Sequence, residues 1–251
     1  MTAAFPGPGD VAALRAAAAG GRSAGPEVAS VRDAEACGVP VRVYDPAPGS
    51  TGRPLAVFLH GGGWVMCGLA THDATCRSLA AGSGAVVVSA DYRLAPEHPW
   101  PAAPDDALNV LLWARARALA LGCDPGRVVV AGDSSGGNLA AVTALRAPEL
   151  VAVTALLAPE LVAGQLLVYP PLDAAMATES AAAYGEGHFR LACEPGRVFA
   201  VPPPGRLRCA PHGPNPHPEG RGHPPRGTTV TAGASFGSCT AQTHTPHRSP
   251  G

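Results

Sequence analysis

Two short segments carry residue types and spacings suited to acyl-transfer chemistry. Gly132-Asp133-Ser134-Ser135-Gly136 follows the apolar run RVVVA and leads into a stretch of helical pattern. A serine at a sharp strand-to-helix turn projects its hydroxyl from the end of a sheet, and the amides of the helix start favour developing negative charge. Small residues at 132 and 136 let the chain pass close to its neighbours through such a turn. Centring the G-x-S-x-G pattern on Ser135 would require glycine at 133, which is Asp, so Ser134 is the candidate nucleophile. His60-Gly61-Gly62-Gly63-Trp64 follows a second apolar run, PLAVFL. Attack on a carbonyl produces a tetrahedral oxyanion that needs N–H donors already in place. A glycine run can turn backbone amides toward such a group without obstruction by side chains. Gly61 and Gly62 are the expected donors from this loop, with the Ser135 N–H as the complementary donor, and His60 is expected to order the loop. Taken alone, G-x-S-x-G also fits a Ser/Asp helix cap and the glycine run also fits a plain turn. Their placement after two core-like runs favours the chemical reading.

The elements that must position these segments alternate along the chain. Short apolar runs at 41–44, 54–60, 85–90, 127–131 and 165–169 read as buried strands. Helical patterns occupy 11–19, 73–81, 105–121 and 137–147, and Ala107, Val110, Leu111 and Ala114 share one face of the third. Strand-helix alternation predicts an α/β fold of three layers, with a mostly parallel sheet between helices. A tandem repeat, VTALRAPELVA at 142–152 and VTALLAPELVA at 153–163, reads as a local duplication, and Pro148 and Pro159 should each interrupt a helix there.

Composition removes several alternatives. With 251 residues and 46% apolar residues the chain can bury a full α/β core. Net charge is −1, which gives no footprint for nucleic acid. All 18 basic residues are Arg, so mechanisms that need a catalytic lysine are excluded, including Schiff bases and the phosphate-binding P-loop. No cofactor is expected. Seven scattered Cys do not form a disulfide framework, and residues 1–10 lack the pattern of a signal peptide. The most apolar stretch, 150–172, is broken by Pro159, Glu160, Pro170 and Pro171 and is a poor membrane span. A cytoplasmic, reduced protein is the expectation.

Four segments in order resemble the hormone-sensitive-lipase-like branch of the α/β-hydrolases: HGGGW, DYRLAPEHPWPAAPDDA at 91–107, GDSSGGNLAA at 132–141 and QLLVYPPLD at 165–173. The resemblance spans about residues 25–190. It implies an α/β-hydrolase fold, hydrolysis of small carboxylic esters by Ser134, and an N-terminal cap segment over residues 1–24. Ser135 stands where the family usually has Ala. Asp91, Tyr92, Arg93, Glu97 and His98 match a family segment read as structural. The plant gibberellin receptors resemble this family without a working triad, so a non-catalytic binding protein is one alternative. An unstable fragment without function is another.

The resemblance stops near Arg190. Residues 191–251 hold 12 of the 28 Pro and 5 of the 9 His, and carry +4 against −5 for the preceding part. This tail is expected to be mostly disordered, and reads as either a divergent or a frame-shifted C-terminus. The family completes its triad with an acid in a D-P-x-x-D-E-like segment and a His in an H-G-F-like segment, and neither segment is present. The later acids are Glu179, Glu186, Glu194 and Glu219, and the later histidines are His188, His212, His217, His223, His244 and His247. Serine is a weak nucleophile without a base in reach, so impaired hydrolysis is expected. Cys209/His212 and Cys239/His244/His247 contain ligand types at unfavourable separations, and no metal site is expected.

Overall fold

A computed structural model of the chain describes residues 11–20, 24–151 and 162–172. Six strands form one sheet in the order β1-β2-β4-β3-β5-β6. They are β1 (Ser30–Ala36), β2 (Val39–Asp45), β3 (Arg53–Leu59), β4 (Val86–Ala90), β5 (Cys123–Asp133) and β6 (Gly164–Val168). β3 pairs in parallel with β4 and with β5, and β5 with β6, while β2 is antiparallel to β1 and β4. The helices are α1 (Val11–Ala19), α2 (Asp73–Ser83), α3 (Ala102–Ala116) and α4 (Ser135–Val151), with a 3₁₀ turn at Leu119–Leu121.

Side-chain alternation along β3 builds the three layers. Leu55, Val57 and Leu59 join a core on one face with Val110 and Leu111 of α3 and Leu139 of α4. Ala56 and Phe58 face the other side with Cys76 and Ala80 of α2. Successive strand side chains point to opposite faces, so a strand covered on both sides reads as a continuous apolar run. Burial of each Leu or Val in such a core contributes about 1.5–3 kcal/mol. All four residues of the shared α3 face are fully buried.

Several boundaries differ from expectation. β1 was not anticipated, because SVRDAEA carries charges on an edge strand and is mostly not buried. Its hairpin turn uses Cys37 and Gly38, both at positive φ (52° and 85°), which suits a two-residue turn of the primed kind. α3 starts three residues before Asp105, at Ala102, and Pro104 falls in its first turn, where an N–H has no helical partner in any case. The region up to Leu121 is finished by the 3₁₀ turn rather than by α3 itself. α4 begins at Ser135 rather than Gly137 and continues through Pro148 to Val151, so Pro148 does not end the helix where it stands. A proline lacks one N–H and crowds the preceding turn, yet the described helix runs on for three residues past it. Pro159 and the second copy of the repeat up to residue 161 lie outside the described residues, as does everything after residue 172.

Candidate active site

β3 and β5 are adjacent and parallel, so their C-terminal ends bring the two motifs to the same edge of the sheet. The β5 end is a strained turn. Ser134 sits at φ 50°, a left-handed conformation that costs a non-glycine residue about 1–3 kcal/mol. Close packing around it maintains the conformation. A Cβ on Gly136 would lie 2.0 Å from the Leu59 carbonyl oxygen, and one on Gly132 would lie 2.3 Å from that of Gly136. Both positions must therefore be glycine. The Ser134 N–H donates to the Val168 carbonyl at 2.8 Å, and the Asn138 side chain donates to the Pro171 carbonyl at 2.9 Å, so the end of β6 braces the turn. Ser135 opens α4 and is buried.

The β3 end is a folded glycine loop. Gly62 and Gly63 have positive φ (128° and 60°), as does Trp64 (61°). The Gly62 carbonyl accepts N–H bonds from Val65 and Met66 at 3.2 and 3.1 Å. The Gly61 N–H does not point to open space: it donates to Asp133 Oδ1 at 2.9 Å. This corrects the expectation for Gly61, because an amide already bonded to a carboxylate is not available to an oxyanion. Among the described residues, the Gly62 and Gly63 amides have no partner.

His60 is fully buried. Its Nδ1 is 2.8 Å from the Gly61 carbonyl, and its ring stacks on Tyr92 with centroids 4.3 Å apart. Burial drives its pKa down to about 4, so the ring is neutral near pH 7. The Tyr92 hydroxyl donates to the His60 carbonyl at 2.7 Å. These contacts tie His60 to the start of the glycine loop.

Two further residues of the 91–107 segment, Arg93 and Glu97, make ion pairs. Arg93 grips the fully buried Asp106 through two guanidinium bonds of 2.8 Å. Glu97 receives Arg15 of α1 at 2.8 and 2.7 Å, and the same arginine donates to the Val65 carbonyl, next to the glycine loop.

Sequence reasoning did not single out Asp133 and His72 as partners. Asp133 Oδ1 lies 3.3 Å from His72 Nε2, and Oδ2 accepts the Tyr169 hydroxyl at 3.3 Å. Burial alone would raise the Asp133 carboxyl, but the His72 ring and the Gly61 N–H outweigh it and hold the group below its ordinary value. The signal that could have pointed to it is a carboxylate immediately before the candidate nucleophile, which when half-buried must find donors. Among the described residues no histidine hydrogen-bonds the Ser134 hydroxyl. The late acids and histidines, from Glu179 and His188 to His247, lie outside the described residues, as do the Cys209/His212 and Cys239/His244/His247 spacings.

A strained serine turn between a parallel strand and a helix, opposite a glycine loop at the end of the neighbouring strand, is an arrangement characteristic of the α/β-hydrolase fold. A sequence model of the alpha/beta hydrolase fold matches residues 56–194, more than half of the chain, so the chain belongs to that family, in its hormone-sensitive-lipase-like branch. Among curated proteins it is 52% identical over 112 residues to carboxylesterase NlhH of Mycobacterium tuberculosis; the match covers 45% of this chain and 35% of that protein. It is 45% identical over 109 residues to an ethyl acetate hydrolase of Pseudomonas putida, covering 42% of this chain and 34% of that one. A hyperthermophilic esterase from Pyrobaculum calidifontis superposes with a TM-score of 0.62 at 38% identity, over 70% of this chain and 59% of the other. The matched region thus spans about a third of the length of the curated relatives and under two thirds of the solved structure. No helix among the described residues is long and apolar enough to cross a membrane.

Proposed function

We propose that the chain is a hydrolase of small carboxylic esters with Ser134 as nucleophile. The observation that carries this reading is Ser134 at φ 50° between β5 and α4, at the sheet edge that also holds the glycine loop. The Ser134 hydroxyl oxygen attacks the ester carbonyl carbon. Negative charge then gathers on the carbonyl oxygen, and the Gly62, Gly63 and Ser135 amides stabilise it. The positive end of α4 adds to their effect. Collapse of this intermediate releases the alcohol and leaves an acyl-serine, which water hydrolyses. The relatives' names support the same chemistry, since one is a carboxylesterase and one an ethyl acetate hydrolase. Under this reading α1, tied by Arg15 to Glu97 and the Val65 carbonyl, is part of a cap beside the site.

The proton leaving Ser134 needs an acceptor, and none among the described residues hydrogen-bonds the hydroxyl. Because the sequence has neither the D-P-x-x-D-E-like nor the H-G-F-like segment of the family, turnover by the 251-residue chain is proposed to be slow. Loss of a triad member costs about 10⁴-fold or more, while an intact oxyanion hole retains about 10³–10⁴-fold over water. The test is a p-nitrophenyl alkylphosphonate, which phosphonylates a placed serine once and stops. Stoichiometric labelling of Ser134, abolished in Ser134→Ala, is expected, together with weak hydrolysis of p-nitrophenyl butyrate. Labelling that moves to Ser135, or that survives in the Ala variant, would overturn the assignment.

A further inference from the structure

The residue ahead of the nucleophile is left open by the G-x-S-x-G pattern, yet here it is the most connected side chain at the site. The Asp133 carboxylate takes the Gly61 N–H at 2.9 Å and faces His72 Nε2 at 3.3 Å through one oxygen, and accepts the Tyr169 hydroxyl at 3.3 Å through the other. His72 is itself fixed by the Thr71 hydroxyl, 3.0 Å from its Nδ1. A Cβ on Gly61 would fall 2.3 Å from Asp133 Oδ2, so the absence of a side chain at 61 is what lets the carboxylate reach the amide. The Asp133 side chain is 16% exposed, and a half-buried carboxylate that accepts two hydrogen bonds and has a histidine ring against it is held in one place.

The geometry matters because the two halves of the oxyanion hole come from different strands. Donors must sit about 2.7–3.1 Å from the developing charge, and a misplacement of about 1 Å can cost about 10²-fold in rate. The Gly61–Asp133 bond joins the glycine loop directly to the residue beside Ser134. We propose that Asp133 is the positioning residue of the oxyanion hole: its carboxylate holds Gly61, and with it the Gly62 and Gly63 amides, in register with Ser134 and Ser135. His72 and Tyr169 keep the carboxylate in place. The assignment rests on the reading of Ser134 and the glycine amides given above.

The experiment uses the full chain and the same phosphonate, with the maximal labelling rate and the half-saturating concentration measured separately. Asp133→Ala is expected to lower the maximal rate by about 10–100-fold with a much smaller change in half-saturation, because the amides are displaced but the ester pocket is not. Asp133→Asn keeps an oxygen for the Gly61 N–H and should recover to within about threefold of the original chain. Tyr169→Phe, at a residue 72% exposed and so tolerant of change, should cost a few-fold in the same rate. Amide hydrogen exchange supplies an arm that does not depend on Ser134. Gly61 should be protected in the original chain and lose protection in Asp133→Ala, while Val57 and Val130 in the strands keep theirs. Unchanged Gly61 exchange in Asp133→Ala overturns the proposal. So does an equal rate loss in Asn and Ala, or a loss of protection spread over the strands. If the original chain is not labelled at all, the nucleophile reading fails, and the exchange arm still decides whether Asp133 holds the loop. Should Asp133→Ala not fold, Asp133→Asn and Tyr169→Phe decide: Gly61 exchange and labelling indifferent to Tyr169→Phe would count against the proposal.

Discussion

The two strand ends that meet at the site hold their shapes by different means. At the end of β5 the turn is enforced by backbone against backbone: Gly132 and Gly136 are pressed against the carbonyls of Gly136 and Leu59. At the end of β3 the loop is flexible by composition and is fixed from outside, by Asp133 on Gly61, Tyr92 on the His60 carbonyl and Arg15 on the Val65 carbonyl. A nucleophile needs one fixed atom, which sterics can supply. An oxyanion hole needs two or three amides aimed at one point, which glycine can allow but only outside partners can select.

This contrast can be tested by substitutions at each end. The largest effect on stability is expected for Gly136→Ala, because the new methyl would sit 2.0 Å from the Leu59 carbonyl oxygen and 2.5 Å from that of His60, and neither backbone atom can swing away. A loss of about 3 kcal/mol or more is expected in urea denaturation. Gly62→Ala is equally crowded on paper, at 2.2 Å from the Met66 carbonyl oxygen and at φ 128°. The loop can shift, so its stability cost should be smaller, about 1–3 kcal/mol, while Ser134 labelling falls by at least tenfold. If Gly62→Ala costs as much stability as Gly136→Ala, the loop is as rigid as the turn and the contrast fails.

The pH dependence of stability probes the β3 end through His60. Its pKa falls from 6.5 to about 4 on folding, through burial. Below pH 6.5 the unfolded chain therefore binds a proton that the folded chain refuses. Stability is fully present above that value and is lost as pH falls toward 4. The single group accounts for about 2 kcal/mol between pH 7 and pH 5. Denaturation midpoints should show this slope, and His60→Gln should flatten it whatever its effect on stability at pH 7. The smallest effect belongs to Tyr92→Phe. It removes one donor to the His60 carbonyl and should cost about 1 kcal/mol with a modest loss of labelling rate. A neutral result there would mean that ring stacking alone seats His60.

The central strands were legible because β3, β4 and β5 are covered on both faces, and their apolar runs have no other soluble explanation. β1 escaped notice because an edge strand needs only one buried face, and its charges resemble a loop. The tight turn at Ser134 was legible from one local rule, that glycine was needed at both 132 and 136. Gly61 was misassigned because local spacing cannot show where an amide points. Its partner lies 72 residues further along the chain.

By itself the sequence determined the elements whose cause is local: apolar runs of strand length, helix faces at 3.6-residue spacing, and glycines where the backbone must pass close. It also determined the family, through motifs in order. Only the tertiary structure decided which residue each group meets. It placed Asp133 under Gly61 and against His72, and the Tyr92 ring on His60, because those pairings follow from strand order rather than from sequence distance. Strand order is set by how whole helices and sheet faces bury one another, and no window of neighbouring residues contains that information.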